Sequence, residues 1–378
     1  MKTLQLVPAM EQGGVERGVV EMNRILVGAG AQNVVVSAGG RLARQIVDDG
    51  GRHVTLDVKS KNPFTYFTRA ARLRRLLIAE QPDVVCAHSR VPAWLFKWAA
   101  RGRNIPWITF AHGANSISRY SRVMTAGDLT VTPSRYIADY LKDAYGIDEK
   151  RLRVIPRAID RDRFDPARLD AAFLAAKRVA WGLAARRPFV VMALGRITQL
   201  KGFDHLIRAM ALLKGETTAD GRPFRLVLVG EAEALRKDVE TALRQLTADL
   251  GLAADVVFAG NQVKVAECLS LADCVVSANV AKPEAFGRSM AEALAMGRPV
   301  VAKAFGGARD VVRDGIDGVL VGADIGPTDA PQAFADAIRK VAGMTFGDLR
   351  ASALERFSFE QMAERSLAVY RELARVLF

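Results

Sequence analysis

Short apolar runs alternate with longer stretches of helical periodicity along most of this chain. In the first part "KTLQLVP", "NVVVSAG", "HVTLDV", "PDVVCAH", "WITFAHG", "DLTVTPS" and "RLRVIPR" read as strands. Between them, stretches such as "GVERGVVEMNRILVGAG" and "FTRAARLRRLLIAEQ" read as helices. A second series follows, with "PFVVMALG", "FRLVLVG", "ADVVFAG", "ADCVVSAN", "RPVVAKA" and "GVLVG" as strands, again separated by helical pattern. Strand–helix alternation predicts a parallel sheet covered on both faces, and two series predict two such sheets. The charged, turn-rich "PRAIDRDRFDPARLDAAF" between the series reads as a linker. The expected organisation is a first Rossmann-like domain over 1–165 and a second over 166–356. The amphipathic "FSFEQMAERSLAVYRELARVLF", 357–378, is expected as a helix returning toward the first domain. The fold class is therefore α/β, with two doubly wound domains expected to face a cleft where the strands' carboxyl ends bind ligand.

Composition narrows this picture. At 378 residues and half apolar, the chain can bury more than one core. Three cysteines, Cys86, Cys268 and Cys274, match no metal spacing and leave one unpaired in any disulfide scheme, which suits a reducing compartment. The opening apolar run is broken by Gly13-Gly14, too early for a signal peptide, and no run long enough to span a membrane appears. A cytoplasmic protein is expected, in solution or peripheral on the inner face of the membrane.

The net charge of +13 is uneven: residues 1–165 hold 26 Lys/Arg against 16 Asp/Glu. Within "KSKNPFTYFTRAARLRRLL", Lys59, Lys61, Arg69, Arg72, Arg74 and Arg75 accompany Phe64, Tyr66 and Phe67. That mixture suits an anionic membrane surface or a charged acceptor, and equally a solvated helix face. No nucleic-acid-binding module accompanies the charge, so nucleic acid is not expected as a partner.

Candidate chemistry gathers in the second series. Gly195, Arg196, Lys201 and Gly202 lie between the end of "PFVVMALG" and the next helix. A glycine allows close approach of backbone to ligand, and two cations five residues apart can clamp a diphosphate, although loop cations are commonly just solvated. Downstream, "PEAFGRSMAEALAMGRPVV" places Glu284 and Glu292 eight residues apart. Fully helical, that spacing would separate them by about 12 Å along the axis. A glycosidase pair flanks one bond at roughly 5 to 9.5 Å, so two ends of one long ligand fit better. Pro283 and Gly287 confine the helix to about Arg288–Met296, whose first turn presents free N–H groups and partial positive charge. Arg288 there opposes the helix dipole, so it turns to solvent or faces an anion. Glu284 can accept bonds from polyol hydroxyls. Glu292, amid Ala291, Ala293 and Leu294, is either a surface carboxylate or a second hydroxyl-binding one.

Together these pieces resemble glycosyltransferase family 4, retaining sugar transferases of the GT-B fold. The resemblance covers nearly the whole chain and rests on three ordered sites: "GGVER" at 13–17, "GRITQLKGFDHLIRAM", and the E-x7-E motif Glu284–Glu292. It implies that Arg196 and Lys201 hold the donor diphosphate, assisted by the backbone of Phe286 and Gly287, with Gly195 and Arg288 also at the donor. It implies sugar hydroxyls on Glu284, ribose on Glu292, and phosphate approached by Gly13 and Gly14. His112, in "TFAHGANS", matches the family's cleft histidine near the transferred sugar.

The implied reaction moves a hexose from a UDP-, GDP- or ADP-sugar to a glycan or lipid-linked acceptor, itself expected to be anionic. No metal is expected, and the leaving phosphate helps remove the acceptor proton while Arg196 and Lys201 stabilise its charge. Asp160-Arg161-Asp162 has the Asp-x-Asp spacing of metal-dependent transferases of another fold, but lies in the linker. "HSR" with "PAW", His88 to Trp94, resembles members that build lipopolysaccharide cores and envelope glycans. Two positions depart from the family: Ile155-Pro156-Arg157-Ala158 stands for the usual Ile-Pro-Asn-Gly, and Asp310 for a commoner glutamate. A nucleotide-sugar epimerase or hydrolase on the same fold is the enzymatic alternative, and a non-catalytic sugar-nucleotide-binding protein another. A dehydrogenase is disfavoured, since no G-x-G-x-x-G follows a strand with an acidic residue about 20 positions later.

Overall fold

The computed structural model describes residues 1–11, 13–185 and 187–374. Two compact units result: Met1–Arg157 with Glu360–Phe378, and Ala158–Phe359. The first holds β1 (Lys2–Leu6), β2 (Gln32–Ser37), β3 (Arg52–Thr55), β4 (Val84–Ala87), β5 (Trp107–Phe110), β6 (Leu129–Thr132) and β7 (Leu152–Val154). They pair in the order 3-2-1-4-5-6-7. The second holds β8 (Phe189–Leu194), β9 (Phe224–Val229), β10 (Val256–Gly260), β11 (Cys274–Ser277), β12 (Val300–Lys303) and β13 (Gly318–Val321), in the order 10-9-8-11-12-13. Each strand pair is parallel.

Parallel neighbours need a crossover over a sheet face, so most strands are buried on both sides and read as largely apolar runs, the edge strand β3 being partly exposed. In the second unit one face is covered by the helices Phe203–Leu212 and Ala330–Ala342, with Leu206, Ile207 and Phe334 fully buried. The helices Arg288–Ala295 and Leu349–Arg356 contribute to the cluster containing Met290, Leu294 and Ala353. In each sheet the strand order reverses once, between β1 and β4 and between β8 and β11. Carboxyl-end loops diverge at such points and leave room for a ligand.

The unit boundary differs from the expected one at residue 165. Ile159 and Phe164 are buried in one cluster with Trp181 and Leu183, and Ile159 N–H donates to the Phe357 carbonyl at 2.8 Å. The stretch read as a linker therefore belongs to the second unit, because its two apolar side chains have a core to enter. Asp160 and Asp162 serve local structure there: Asp160 accepts from the Arg163 amide at 3.0 Å, and Asp162 pairs with Arg168 at 3.1 Å. The C-terminal helix is Phe359–Ala374, the last four residues of the expected span lying outside the described residues. It packs in the first unit through Met362, Val369 and Tyr370.

Tyr370 is fully buried, its hydroxyl 3.0 Å from Cys86 Sγ on β4. Burial holds both groups neutral, pushing the Cys86 thiol up to about 12 and the Tyr370 phenol well above its usual range. Arg153 on β7 forks onto Glu372 at 2.6 and 3.2 Å. Tyr370→Ala is expected to cost about 3–5 kcal/mol, as for other large buried aromatics. Tyr370→Phe should cost only about 1 kcal/mol, the worth of one neutral hydrogen bond. Chemical denaturation of both variants checks this, and equal losses would show that the hydroxyl, not the ring, fastens the helix.

Candidate functional site

Backbone hydrogen bonds fasten the loop leaving β8. Gly195 N–H donates to the Val229 carbonyl and Ile197 N–H to that of Glu231, both at 3.0 Å. Gly202, at φ +65°, closes the loop where an added Cβ would lie 2.0 Å from the Ala278 carbonyl oxygen. Only glycine combines that backbone conformation with that approach. Lys201 is thereby aimed across the carboxyl ends of β8 and β11, into a cavity of about 440 Å³ lined by Arg196, Thr198, Lys201, Glu233, Asn279 and Glu284 among others.

Both cations of the expected clamp already hold a carboxylate. Lys201 Nζ donates to Glu284 Oε1, the two side chains being 26% and 27% exposed. Arg196 pairs with Glu233, at 75% and 57% exposure. A diphosphate entering this cavity would compete with the two carboxylates for Arg196 and Lys201, and Arg236 and Lys282 in the same lining could offset the negative charge it adds. The exposed pair is worth little in water, and the half-buried pair more.

Three expected residues, Arg196, Lys201 and Glu284, thus line one cavity, with Gly195 in its loop. Phe286, Gly287, Arg288 and Glu292 are not among its lining residues. Phe286 is buried, its ring perpendicular to that of Phe357 at 5.5 Å. Gly287, at φ +96°, precedes the helix Arg288–Ala295, and Glu292 sits half-buried on that helix between buried Ala291 and Ala293. In the first unit Gly13 is extended and Gly14 opens the helix Gly14–Gly28. Glu233 and Asn279 escaped the sequence reading because single polar residues after strands carry no pattern of their own.

His112, just past β5, has both ring nitrogens engaged within the first unit. Arg157 Nη2 donates to His112 Nδ1, and His112 Nε2 lies 3.0 Å from His88 Nδ1. His88 Nε2 then meets Gln5 Oε1 at 2.9 Å. Gln5 Nε2 donates to Asn33 Oδ1 at 3.1 Å, Asn33 Nδ2 to Asn23 Oδ1 at 2.8 Å, and Asn23 Nδ2 to the Ile46 carbonyl at 3.1 Å. Gln5, Asn23, Asn33 and His88 are buried, so the chain of bonds satisfies groups that water cannot reach. Their signal in the sequence is a polar residue inside an apolar element, as in "KTLQLVP".

Burial, then the Arg157 guanidinium, lowers His88 to about 3. The same causes, with His88 added, hold His112 well below the usual imidazole range. Neither ring charges near neutral pH. A depressed histidine contributes stability above its unfolded value that is lost as pH falls, since the unfolded chain takes up the proton first.

The basic segment divides on folding. Arg69 is buried and bonds the carbonyls of Ser60, Asn62 and Thr65 at 2.8 to 3.2 Å, and Arg74 bonds those of Ala99 and Arg101 at 3.0 and 2.7 Å. These two are loop fasteners rather than surface charges. Lys59, Lys61, Arg72 and Arg75 stay exposed beside Phe64 and Phe67, which are 91% and 62% exposed. A separate cavity of about 300 Å³ in this unit is lined by Trp94, Lys97, Arg119, Arg122, Tyr145 and Arg151 among others. Among the described residues no group of three or more His, Cys, Asp or Glu could hold a metal ion, and no helix is long and apolar enough to cross a membrane.

Residues 12–163 match the family Glycosyltransferase Family 4, and residues 188–343 match Glycosyl transferases group 1. D-inositol 3-phosphate glycosyltransferase 1 of Catenulispora acidiphila is 32% identical over 76% of this chain and 72% of its own. The D-inositol 3-phosphate glycosyltransferase of Jonesia denitrificans is 30% identical over 95% of this chain and 91% of its own. Coverage is shorter for some, such as the Nocardioides relative of the same name, of which 55% is spanned. Among solved structures, a glycosyltransferase from Rickettsia africae superposes with a TM-score of 0.83 at 28% identity, over 100% of this chain and 99% of that one. Anabaena Alr3699/HepE, in complex with UDP and glucose, shares the fold with a TM-score of 0.78 at 21% identity, over 98% and 99%.

Gly202→Ala is expected to destabilise the second unit by about 1–3 kcal/mol, the usual cost of such backbone strain. A melting transition lowered by several degrees checks it, and an unchanged one would show that the loop yields freely. Between pH 6.5 and pH 5 the depressed His88 should withdraw about 2 kcal/mol of stability. Urea denaturation at both pH values should show that loss in the native chain and a smaller one in His88→Gln.

Proposed function

This chain belongs to glycosyltransferase family 4, and from that premise we propose that it is a retaining hexosyltransferase using a nucleoside diphosphate sugar and an anionic acceptor. The observation that carries the proposal is the cavity after β8 and β11, where Arg196 and Lys201 converge with Glu284. The donor diphosphate takes the two cations, and Glu284, released from Lys201, binds the sugar hydroxyls. Family resemblance assigns Glu292 to the ribose, the segment Phe286–Arg288 and the Gly13-Gly14 stretch to the phosphates, and His112 to the neighbourhood of the transferred sugar. In the reaction the acceptor oxygen bonds the anomeric carbon as the bond to the diphosphate breaks. The acceptor proton passes to a leaving phosphate oxygen, and Arg196 and Lys201 balance the charge that develops there. Delivery to the face the diphosphate leaves would retain the anomeric configuration. No metal is expected for this chemistry.

The acceptor is proposed to be anionic because the first unit carries the positive excess and sets Lys97, Arg119 and Arg122 beside Trp94 and Tyr145 in one cavity. Aromatic faces suit sugar rings or polyols, and the cations suit phosphate or carboxylate. The named relatives point to a phosphorylated polyol. The "HSR" and "PAW" resemblance, which contributes Trp94, points instead to an envelope glycan or lipopolysaccharide intermediate. Exposed Phe64 and Phe67 among cations favour contact with an anionic inner-membrane face, which liposome flotation with and without anionic lipid and salt examines.

The first test is thermal shift with UDP, GDP, ADP and their common sugars, in magnesium and in EDTA. A ligand at 100 times its dissociation constant adds about 2.7 kcal/mol. One base should raise the melting transition equally in both buffers; no shift for any nucleotide would overturn the proposal. Transfer followed by NMR of the product anomer then decides retention. Glu284→Ala should abolish transfer while nucleoside diphosphate affinity holds or tightens by roughly up to fivefold, because Lys201 loses a competing carboxylate. Full turnover in that variant would remove Glu284 from the sugar site.

A further inference from the structure

The bonds running from Arg157 through the two histidines have a direction that their chemistry dictates. A guanidinium has donors and no acceptor, so the nitrogen that Arg157 meets, His112 Nδ1, must carry the lone pair. Neutral His112 then holds its hydrogen on Nε2 and donates to His88 Nδ1 at 3.0 Å. His88 in turn holds its hydrogen on Nε2 and donates to Gln5 Oε1 at 2.9 Å. At the far end the Ile46 carbonyl can only accept from Asn23 Nδ2 at 3.1 Å, so the relay is oriented the same way from both ends. Protonating either ring would set two donors against each other. The groups meeting the rings come from several elements: Gln5 from β1, Phe110 from β5, stacked on His88 at 4.6 Å, and Arg157 from the segment after β7. Of these, Arg157 carries the charge, and it opposes protonation of either ring.

Arg157 is built into this position from a second side. Gly18 of the helix Gly14–Gly28 faces it, and an added Cβ there would lie 2.4 Å from Arg157 Nη1. Arg157 stands where the family resemblance places an asparagine, whose shorter amide could either donate or accept and would leave the relay's direction open. The small residue on the helix and the long cation opposite it form a matched pair.

We propose that Arg157 is a positioning residue of the transferase: through a relay of fixed direction it holds the His112 ring as an uncharged group that exchanges no proton during transfer. The inference rests on the proposed function only for the placing of His112 beside the sugar. With Nδ1 and Nε2 both spent inside the unit, His112 supplies shape and dipole at a set angle, and the acceptor proton goes to the leaving phosphate. The exchange of Asn for Arg makes that arrangement independent of pH over the range in which an ordinary imidazole titrates.

The test is nitrogen-detected NMR of the imidazoles in the full chain from pH 5 to 8, with transfer rates over the same range. In the native protein His88 and His112 should each show one protonated and one bare nitrogen throughout, with Nδ1 bare. In Arg157→Gln, His112 should begin to titrate, or change tautomer, and the kcat profile should gain an acid limb, with kcat roughly ten- to a hundredfold lower and donor KM little changed. Arg157→Lys, a donor without the fork, should restore the tautomer and part of the rate. Gly18→Ala displaces the guanidinium without removing it and should shift the same resonances. A native His112 that titrates in this range, or that carries hydrogen on Nδ1, overturns the relay whatever the activity. An Arg157→Gln profile and rate matching the native ones overturn the positioning role. The NMR arm needs no substrate, so a chain that transfers no sugar but keeps these tautomers would fail the proposed function and leave the relay standing.

Discussion

Among the described residues the strands of both sheets pair in parallel, and a parallel strand can be reached only by carrying the chain back over a sheet face. The rest follows from that constraint. The strands are therefore mostly apolar, and the polar residues they do bury, such as Gln5 and Asn33, are hydrogen-bonded to one another. Where the strand order reverses, between β8 and β11, two loops lead away from each other and the cavity of Arg196, Lys201 and Glu284 opens between them.

Two cations at the cavity after β8 are paired with carboxylates of its lining. Lys201 pairs with Glu284 and Arg196 with Glu233, and Arg236 and Lys282 line the same cavity, so an anion drawn there meets four cations. Arg157 follows another logic: its positive charge is pointed at neutral rings and acts through hydrogen-bond direction rather than ion pairing with them. Arg69 and Arg74 are spent on backbone carbonyls, so the basic excess of the first unit is less available to a partner than its count implies. A charge total describes the chain, while burial decides which charges still face outward.

Several residues were legible for physical reasons. Gly195 and Gly202 announce a close backbone approach, and their loop is held as such an approach requires. Glu284, placed between Pro283 and Gly287, could not be an ordinary helix surface residue. Others were hidden by their ordinariness. Gln5 and Asn33 look like lapses in apolar runs, and only the register of β1 with β2 makes them neighbours, with Thr3 bonding Asn33 at 2.7 Å. Ile159 and Phe164 sit in a stretch whose charge and turns suggest solvent, yet two apolar side chains were enough to carry it into a core.

The sequence by itself determined the two sheets, the strand positions and the loop that presents Lys201, because periodicity and glycine placement are local properties that survive without a partner. Tertiary structure alone decided that Lys201 meets Glu284 across 83 positions and that Cys86 meets Tyr370 across 284. It alone decided too that Arg157 orients His112. Those are contacts between elements, set by strand order and by how much space a neighbour such as Gly18 leaves, and no window along the chain contains both halves of any of them.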